Sequence, residues 1–283
     1  MSIDLDTLSR WIGQTQTLHD TATVAPLRAL SATLDRDPAS VDVTFAVPPC
    51  WHWLYFLPMH PQSEIGPDGH PRRGGFLPPV PLPRRMWAGS RIEFLQPIQP
   101  GQALRRDSHI ADITHKVGRR GALVFVSVHH AIYANDVLAI REVHDIVYRE
   151  APKPDEPRPE GQLATEQADW SRQIVPDDVL LFRYSALTFN GHRIHYDRRY
   201  VTEVEGYPGL IVHGPLIATL LLEGLHQAHP QAQVRHFAFK ALQPLFDTAP
   251  FTVCGRRESA KRFALWAITP KGELAMQAHA EVE

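Results

Sequence analysis

The stretch that decides the fold and the chemistry is RYSALTFNGHRIHYD at 183–197, followed by YPGLIVHGPL at 207–216. A segment with strand-like composition, Val179 to Leu187, runs into a polar turn that holds an amide, two imidazoles and a carboxylate. A second turn, which contains glycine, then opens an apolar helix predicted over Pro215 to His229. Turns held by regular elements collect functional groups. The two turns are therefore the candidate site.

Histidine takes or gives a proton near neutral pH, and an asparagine beside it offers both an acceptor and a donor to hold a water molecule. His195 and Asn190 could position one water in this way. Gly214 lets a backbone N–H approach a ligand, and the start of the helix adds a partial positive charge, as in an oxyanion hole. The alternative is that His192 and His195 are structural and Gly214 only caps the helix. The residues alone leave both interpretations open.

Working outward, the rest of the chain alternates helical and strand-like patterns. In the second half, strands are predicted at 234–242, 251–257, 263–269 and 273–282. In the first half, two short helices are predicted within 4–35, and strands at 41–47, 86–94, 103–114, 122–135 and 137–148. A Pro-, Gly- and Arg-rich loop over 58–83 separates these strands, and a loop of this length is usually functional or mobile.

Composition excludes several classes of protein. Lys plus Arg number 29 and Asp plus Glu 31, so the net charge of −2 provides no field to gather nucleic acid. Apolar residues make up 43% of the 283 residues, enough for a real core. Two cysteines cannot form a disulfide framework or a four-thiolate zinc site. Neither a signal peptide nor an apolar run of about 18 residues is evident, so we expect a soluble, cytoplasmic protein without membrane contact.

The domain boundary is predicted at APKPDEPRPEGQ, 151–162, which has four prolines and no large apolar residue. This segment would link a first domain over 1–150 to a second over 163–283 that carries the candidate site. Each half shows the same order, a helix followed by a run of antiparallel strands. No repeat of individual residues is obvious, so the similarity is one of architecture only.

The two site motifs resemble the MaoC-type hot-dog hydratases and dehydratases. With PRRMWAGSRIEF at 83–94, the chain is most similar to the double hot-dog branch of this family, which contains mitochondrial 3-hydroxyacyl-[acyl-carrier-protein] dehydratase and the mesaconyl-C4-CoA and itaconyl-CoA hydratases. The resemblance extends from about residue 41 to the end and is weaker before the two motifs. It implies an α+β double hot-dog fold, in which two long helices are each wrapped by an antiparallel sheet.

The resemblance also implies roles for the site residues. His195 would be the general base, Asn190 would orient the water, and the Gly214 N–H would meet the thioester oxygen. The MaoC pattern has a catalytic aspartate five residues before the histidine, and Asn190 occupies that position here. This departure puts the role of a carboxylate in doubt. Asp197 is expected to cap the turn that follows His195.

Basic and aromatic residues near the motifs would hold the thioester substrate, either an acyl-CoA or an acyl carrier protein. The candidates are Arg84, Arg85, Trp87, Arg199, Tyr200 and His213. The remaining histidines are expected to be surface or core residues. Because no metal-binding spacing appears, we predict no metal, and no cofactor beyond the CoA of the substrate. A homodimer is expected from the fold alone.

The implied reaction is hydration of a small unsaturated dicarboxylyl-CoA, such as itaconyl-CoA or mesaconyl-C4-CoA, to citramalyl-CoA. One alternative is dehydration of a 3-hydroxyacyl thioester in fatty-acid metabolism. Another is a non-catalytic protein that binds acyl thioesters, suggested by the missing aspartate. Thioester hydrolysis is less compatible with the motif, which supplies no nucleophile.

Overall fold

The computed structural model describes residues 3–118, 121–151 and 160–283. Its strands are β1 (Thr15–Thr21), β2 (Arg84–Phe94), β3 (Ala103–Gly118), β4 (Gly121–Ala134), β5 (Val137–Arg149), β6 (Trp170–Ile174), β7 (Val234–Ala241), β8 (Phe251–Arg257), β9 (Arg262–Ile268) and β10 (Leu274–Val282). Its helices are α1 (Leu5–Ser9), α2 (Val24–Thr33), α3 (Asp178–Leu187) and α4 (Gly214–Ala228). The predicted linker falls mostly on 152–159, which lies outside the described residues.

The strands form a single antiparallel sheet with the order β1-β3-β4-β5-β2-β7-β10-β9-β8-β6. From the centre outward, the order is β2-β5-β4-β3-β1 on one side and β7-β10-β9-β8-β6 on the other. Each strand of the first half therefore corresponds to the strand numbered five higher in the second half. β2 and β7 pair at the centre, with Ser90 opposite Phe239. Thus one continuous sheet joins two halves of like topology, and the class is α+β as predicted.

The two halves differ in the element that covers the sheet. In the second half, α4 runs for 15 residues, and ten of them, from Leu216 to Leu225, are buried. Among the strands, β8 has the most extensive contact with α4, so the helix lies against the sheet. At the corresponding place in the first half, before β2, there is only a short 3-10 helix over Trp51–Leu54. The space that a long helix would fill is therefore left to the loop over 58–83 and to a cavity.

Eight predicted strands and the α4 helix lie where the sequence places them to within a few residues, except at 41–47. There the Asp42 carboxylate accepts a hydrogen bond from the Thr44 N–H at 2.7 Å, and this local turn replaces the predicted strand. β1 and β6 were not predicted. β1 lies inside the segment assigned to two short helices and pairs with β3 at the sheet edge.

The segment Val179 to Leu187, interpreted as a strand, is the helix α3. Asp177 caps it, with its side chain accepting from the Leu180 N–H at 2.8 Å. Leu181 and Tyr184 are buried on one face, whereas Val179 and Phe182 are exposed. The prediction was wrong because a short run of large apolar residues looks alike in a buried strand and a helix. None of the described helices is long and apolar enough to cross a membrane.

Candidate active site

A cavity of about 1510 Å³ lies between the halves, lined by the second-half motif, by the 58–83 loop and by strands β2, β4 and β5. His195, Asn190 and Gly214 all line it, so the structure brings the three predicted catalytic residues together. The cavity wall also includes Arg85, Trp87 and Tyr200. Concave sites with few convergent polar groups are the usual place for small-molecule chemistry.

His195 ends a short 3-10 helix and is 8% exposed. Its Nδ1 lies 2.7 Å from the Ile211 carbonyl oxygen, and a carbonyl only accepts, so Nδ1 carries the proton and donates. Nε2 is then the unprotonated nitrogen, as a general base requires. Burial lowers the pKa of His195 to about 4, although the Ile211 hydrogen bond opposes this. The residue is therefore neutral at physiological pH and ready to accept a proton.

His213 supports His195 from behind. The two imidazole rings stack with centroids 3.7 Å apart, and His213 Nε2 lies 2.8 Å from the Ser185 hydroxyl on α3. Burial lowers the pKa of His213 well below its usual value, and the nearby His195 lowers it further. With an exposed fraction of 1%, His213 offers almost no surface to a substrate. Predicted as a substrate-binding residue, it instead holds the base in place.

Asn190 follows α3, and its side-chain oxygen accepts from the His192 N–H at 3.0 Å. Its own N–H donates to the Ser185 carbonyl at 2.8 Å. The side-chain oxygen is thus occupied, and the amide NH₂ is the group left to contact a water in the cavity. An amide donates hydrogen bonds but does not titrate, so Asn190 cannot deliver a proton.

Gly214 is the first residue of α4, with Pro215 after it. The first N–H groups of a helix have no partner within it, and here they face the cavity. A Cβ placed on Gly214 would meet no atom within 4 Å, so there is open space beside this residue at the cavity wall. This helix start can accept the oxygen of a thioester or enolate.

The three predicted substrate-binding arginines have different surroundings in the structure. Arg84 pairs with Glu205, 2.9 Å between Nη2 and Oε2. Arg199 is exposed, pairs with Glu203 at 3.0 Å and does not line the cavity. Arg85 lines the cavity, and within the described part of the chain no carboxylate lies within 4.0 Å of it. Of the three, Arg85 is the free cation of the site.

Two aromatic candidates also line the cavity. Tyr200 donates its hydroxyl hydrogen to Glu205 at 3.2 Å and lies under the Arg193 guanidinium. Trp87 donates to the Ser90 hydroxyl at 3.0 Å and packs against His144, with ring centroids 4.0 Å apart. Asp197, expected to be a cap, accepts from the Tyr200 N–H at 3.0 Å and from Arg193. These residues shape the wall rather than reach for a ligand.

The other histidines were expected to be surface or core residues, and five of them line the cavity. These are His52, His60, His70, His130 and His144. His52 belongs to a buried network in which Glu142, 4% exposed, accepts from its Nε2 at 3.1 Å and from Ser90 at 2.9 Å. The surrounding imidazoles, His52 first, hold the pKa of Glu142 down at about 2 despite its burial. These positions come from a 3-10 helix, the 58–83 loop and strands β4 and β5, so local patterns did not connect them.

Asp68 and His70 on the 58–83 loop were also missed. Their side chains and that of His192 lie with ligand atoms within 4.8 Å of one another, a grouping that a metal ion could share. The prediction of no metal stays a prediction. A clue in the sequence was GPDGHP at 66–71, where an acid and an imidazole stand two residues apart among turn residues.

Comparison with known proteins agrees with this site. The family model for hydroxyacyl-thioester dehydratase type 2 matches residues 50–247. The chain is 48% identical to the mesaconyl-C(4)-CoA hydratase of Chloroflexus aurantiacus, over 96% of each chain. It is 26% identical to the mitochondrial hydroxyacyl-thioester dehydratase type 2 of Schizosaccharomyces pombe, covering 84% of this chain and 88% of that one.

Among solved structures, a MaoC-like dehydratase from Phytophthora capsici superimposes with a TM-score of 0.71 over 99% of both chains, at 14% identity. That likeness confirms the predicted double hot-dog architecture. The chain belongs to the hydroxyacyl-thioester dehydratase type 2 family, with the fold of the MaoC-like enzymes.

Proposed function

We propose that the protein is a hydro-lyase that adds water to the double bond of a small unsaturated dicarboxylyl-CoA, with mesaconyl-C4-CoA as the first candidate and citramalyl-CoA as the product. The observation that carries the proposal is the placement of an unprotonated His195 Nε2 and the open start of α4 on one cavity. The identity to the Chloroflexus hydratase supports the substrate class. Itaconyl-CoA, an isomer that gives the same product, is the second candidate in this class.

The arrangement supports a hydration in which His195 Nε2 removes a proton from water as its oxygen attacks the β-carbon. The electron pair of the double bond moves toward the thioester, and the Gly214 N–H stabilises the enolate oxygen that forms. A base of this kind contributes about 10²–10⁴ in rate, and one oxyanion donor about 10²–10³. Burial of both groups strengthens these interactions because the local dielectric is low. The reverse reaction is dehydration.

Arg85 supports a substrate with a second carboxylate. In a C4 thioester of mesaconate, the free carboxylate is bonded to the β-carbon, so its cation must lie close to the group that activates water. Arg85 has no ion-pair partner of its own among the described residues, and its charge lowers the pKa of His192 and His70, both beside the reacting end of the cavity. A guanidinium binds a carboxylate through two parallel hydrogen bonds. The acyl carboxylate is therefore the ligand that suits the position of Arg85.

The alternative is dehydration of a 3-hydroxyacyl thioester with a longer chain. The size of the cavity favours it, since 1510 Å³ exceeds the space of a four- or five-carbon acyl group. The name of the matching family and of the Schizosaccharomyces relative agrees with this reaction. Part of that volume would hold the pantetheine arm in either case.

The experiment is an assay of the purified protein with mesaconyl-C4-CoA, itaconyl-CoA, crotonyl-CoA and a long-chain 2-enoyl-CoA, with products identified by mass spectrometry. Addition of one water to the dicarboxylyl substrates in preference to the others is the expected result. Preference for the long chain would replace the proposal with the dehydratase. Binding of a thioester without turnover would indicate a non-catalytic protein, and release of free CoA a thioesterase.

Three further properties are part of the proposal. The enzyme works without a resident metal or organic cofactor, because His195 and the α4 N-terminus supply a base and an oxyanion donor. It accepts CoA thioesters before acyl-carrier-protein thioesters, since a cation such as Arg85 on the cavity wall suits a small acid. It forms homodimers. Metal analysis, assays with both carriers, and sedimentation of the purified protein test these in turn.

A further inference from the structure

The loop over 58–83 of the first half docks directly on the catalytic turn of the second. The Arg193 N–H donates to the Asp68 carbonyl at 2.9 Å, and the Arg193 side chain donates to the Pro67 carbonyl at 3.0 Å. Gly69 has a φ of +89°, and a Cβ there would lie 1.8 Å from the Gly191 carbonyl oxygen. Only glycine allows this approach. The contact fixes the residues on either side of Gly69 against the site.

Those residues form an acid–imidazole pair. His70 Nδ1 lies 3.0 Å from Asp68 Oδ2, and the His70 N–H donates to Asp68 Oδ1 at 3.0 Å. The hydrogen bonds and charge of His70 lower the pKa of Asp68 to about 2 against the opposing effect of burial, so it is ionised and accepts. Nδ1 of His70 therefore carries a proton, and Nε2 is the nitrogen left to exchange one, on a residue that lines the cavity.

The pair stands next in line to the general base. The His70 ring centroid is 4.0 Å from that of His192, and the His192 centroid is 5.5 Å from that of His195. Three imidazoles thus lie in a row along the cavity wall, from the loop of one half to the base of the other.

Hydration needs two groups that handle protons, one at the water and one at the α-carbon. His195 serves the water. Asn190, the polar neighbour from the same motif, does not titrate and cannot protonate carbon. A second titratable group would come from elsewhere on the wall, and His70 is the carboxylate-held imidazole whose ring lies next in line to those of His192 and His195.

We infer that Asp68 and His70 form the second acid–base pair of the reaction, and that His70 Nε2 delivers the proton to the α-carbon. The inference rests on the proposed hydratase function. Water oxygen bonds to the β-carbon while one of its protons passes to His195 Nε2, and the double-bond electrons form the enolate. Burial lowers the pKa of His70, so the ring starts neutral with its proton on Nδ1. The proton taken by His195 passes through the ring of His192 to His70 Nε2, and the enolate then takes it, so that the C–H bond forms and all three imidazoles are neutral again. Substrate plus water gives product.

His192 connects the two groups, because its ring stands between theirs. Burial lowers the pKa of His70 below its usual value and the charge of Arg85 lowers it further, whereas the Asp68 carboxylate stabilises the charged form that exists while the proton passes. When a substrate carboxylate neutralises Arg85, one of the effects that disfavour protonated His70 is removed. The pair is therefore readied for proton transfer by a dicarboxylyl substrate in particular.

The test is the kinetics of His70→Gln, Asp68→Asn and a control, His279→Gln. His279 also faces a carboxylate, Glu258, at 4.0 Å, but on the far side of the sheet from the cavity lining. We expect kcat of His70→Gln to fall about 10²-fold or more with KM within threefold, since glutamine keeps a hydrogen-bonding group but cannot carry the proton. Asp68→Asn should lose about tenfold, because it keeps the shape and removes the charge. The control should stay within twofold, and thermal unfolding midpoints should match the wild type.

Other outcomes overturn the inference. If kcat of His70→Gln stays within threefold, or KM alone rises, then Asp68 and His70 only anchor the loop. If treatment with a chelator abolishes wild-type activity and Zn²⁺ restores it, the three side chains hold a metal instead. Each assay uses whichever acyl-CoA the wild type hydrates, so the test of His70 does not depend on which substrate of the panel is preferred. If the wild type hydrates none of the panel, the proposed function itself fails.

Discussion

The two halves of the molecule share one strand order but do different work. The second half keeps a long helix against its sheet, and that helix supplies an oxyanion donor beside the buried base His195. The first half has only a short 3-10 helix at the corresponding place, and it contributes open space, the cation Arg85 and a docked loop. The first half lacks the long helix, and the space left there forms part of the cavity that the second half uses for its base and oxyanion donor.

Their buried polar groups differ in the same way. In the second half, His195 has one nitrogen bound to a carbonyl and the other left for a substrate. In the first half, the Glu142 carboxylate accepts from His52, Trp53 and Ser90. A carboxylate that is buried with this many donors is a structural group. The His195 imidazole of the second half therefore keeps one nitrogen for a substrate, whereas the Glu142 carboxylate of the first half has its hydrogen bonds satisfied within the protein.

The largest expected effect is on His195. Replacement by glutamine should lower kcat by about 10²–10⁴-fold, because the amide cannot take the proton of water. Steady-state kinetics with the preferred acyl-CoA measures this, and circular dichroism should show an unchanged fold. Activity within threefold of the wild type would remove the second half from its catalytic role.

Next is Glu142→Gln in the first half, which should cost stability rather than turnover. Loss of the buried charge from its ring of donors should lower the free energy of unfolding by about 3–5 kcal/mol, measured by urea denaturation. Glu93→Gln is the matched control on β2, since its exposed pair with Arg141 is worth at most about 1 kcal/mol. A loss of kcat without a loss of stability in Glu142→Gln would give this buried carboxylate a chemical role in place of a structural one.

Arg85→Met should change selectivity. We expect kcat/KM for the dicarboxylyl-CoA to fall by about 10- to 100-fold, the value of a hydrogen-bonded charge of about 1.5–3 kcal/mol, with crotonyl-CoA little affected. Comparing the two substrates on one variant cancels any general damage. Equal losses on both would assign Arg85 to the CoA moiety, which all substrates share.

The smallest effect is on pH dependence. Burial lowers the pKa of His195 from 6.5 to about 4 in the folded protein, so the unfolded chain binds the extra proton first as the pH falls. Stability should therefore decline from about pH 6.5 to about pH 4, and the decline should be shallower in His195→Gln. Urea denaturation at several pH values measures the slope. An equal slope in both proteins would place the titrating group elsewhere.

Much of the fold was predictable because its signals are local. Strands β2–β5 and β7–β10 alternate and end at turn residues, such as Asn135 and Asp136, which both adopt positive φ in the β4–β5 hairpin. The edge strands β1 and β6 were missed because their pattern is weak and short. α3 was mistaken for a strand, although Asp177 before it is a capping residue.

The candidate site was half predictable for the same reason. His195, Asn190 and Gly214 lie within 25 residues of one another and fall on one wall of the cavity. Arg199 was expected at the substrate and is instead exposed, since it stands on the outer side of the turn that follows Asp197. A sequence shows that a basic residue is near a motif but not which way it points.

From the sequence by itself, periodicity and turn chemistry indicated most of the strands and the start of α4, because these signals act over a few residues. The hot-dog fold and the role of His195 as the base followed from the resemblance of the two motifs to the MaoC-type enzymes. Only the tertiary structure decided that Asp68 and His70 meet His192 more than 120 residues later. It also decided that Arg84 forms an ion pair, whereas Arg85 has none among the described residues. Such meetings depend on how the two halves of the sheet join at β2 and β7. That register is a property of the whole packed molecule, and no short stretch of the chain contains it.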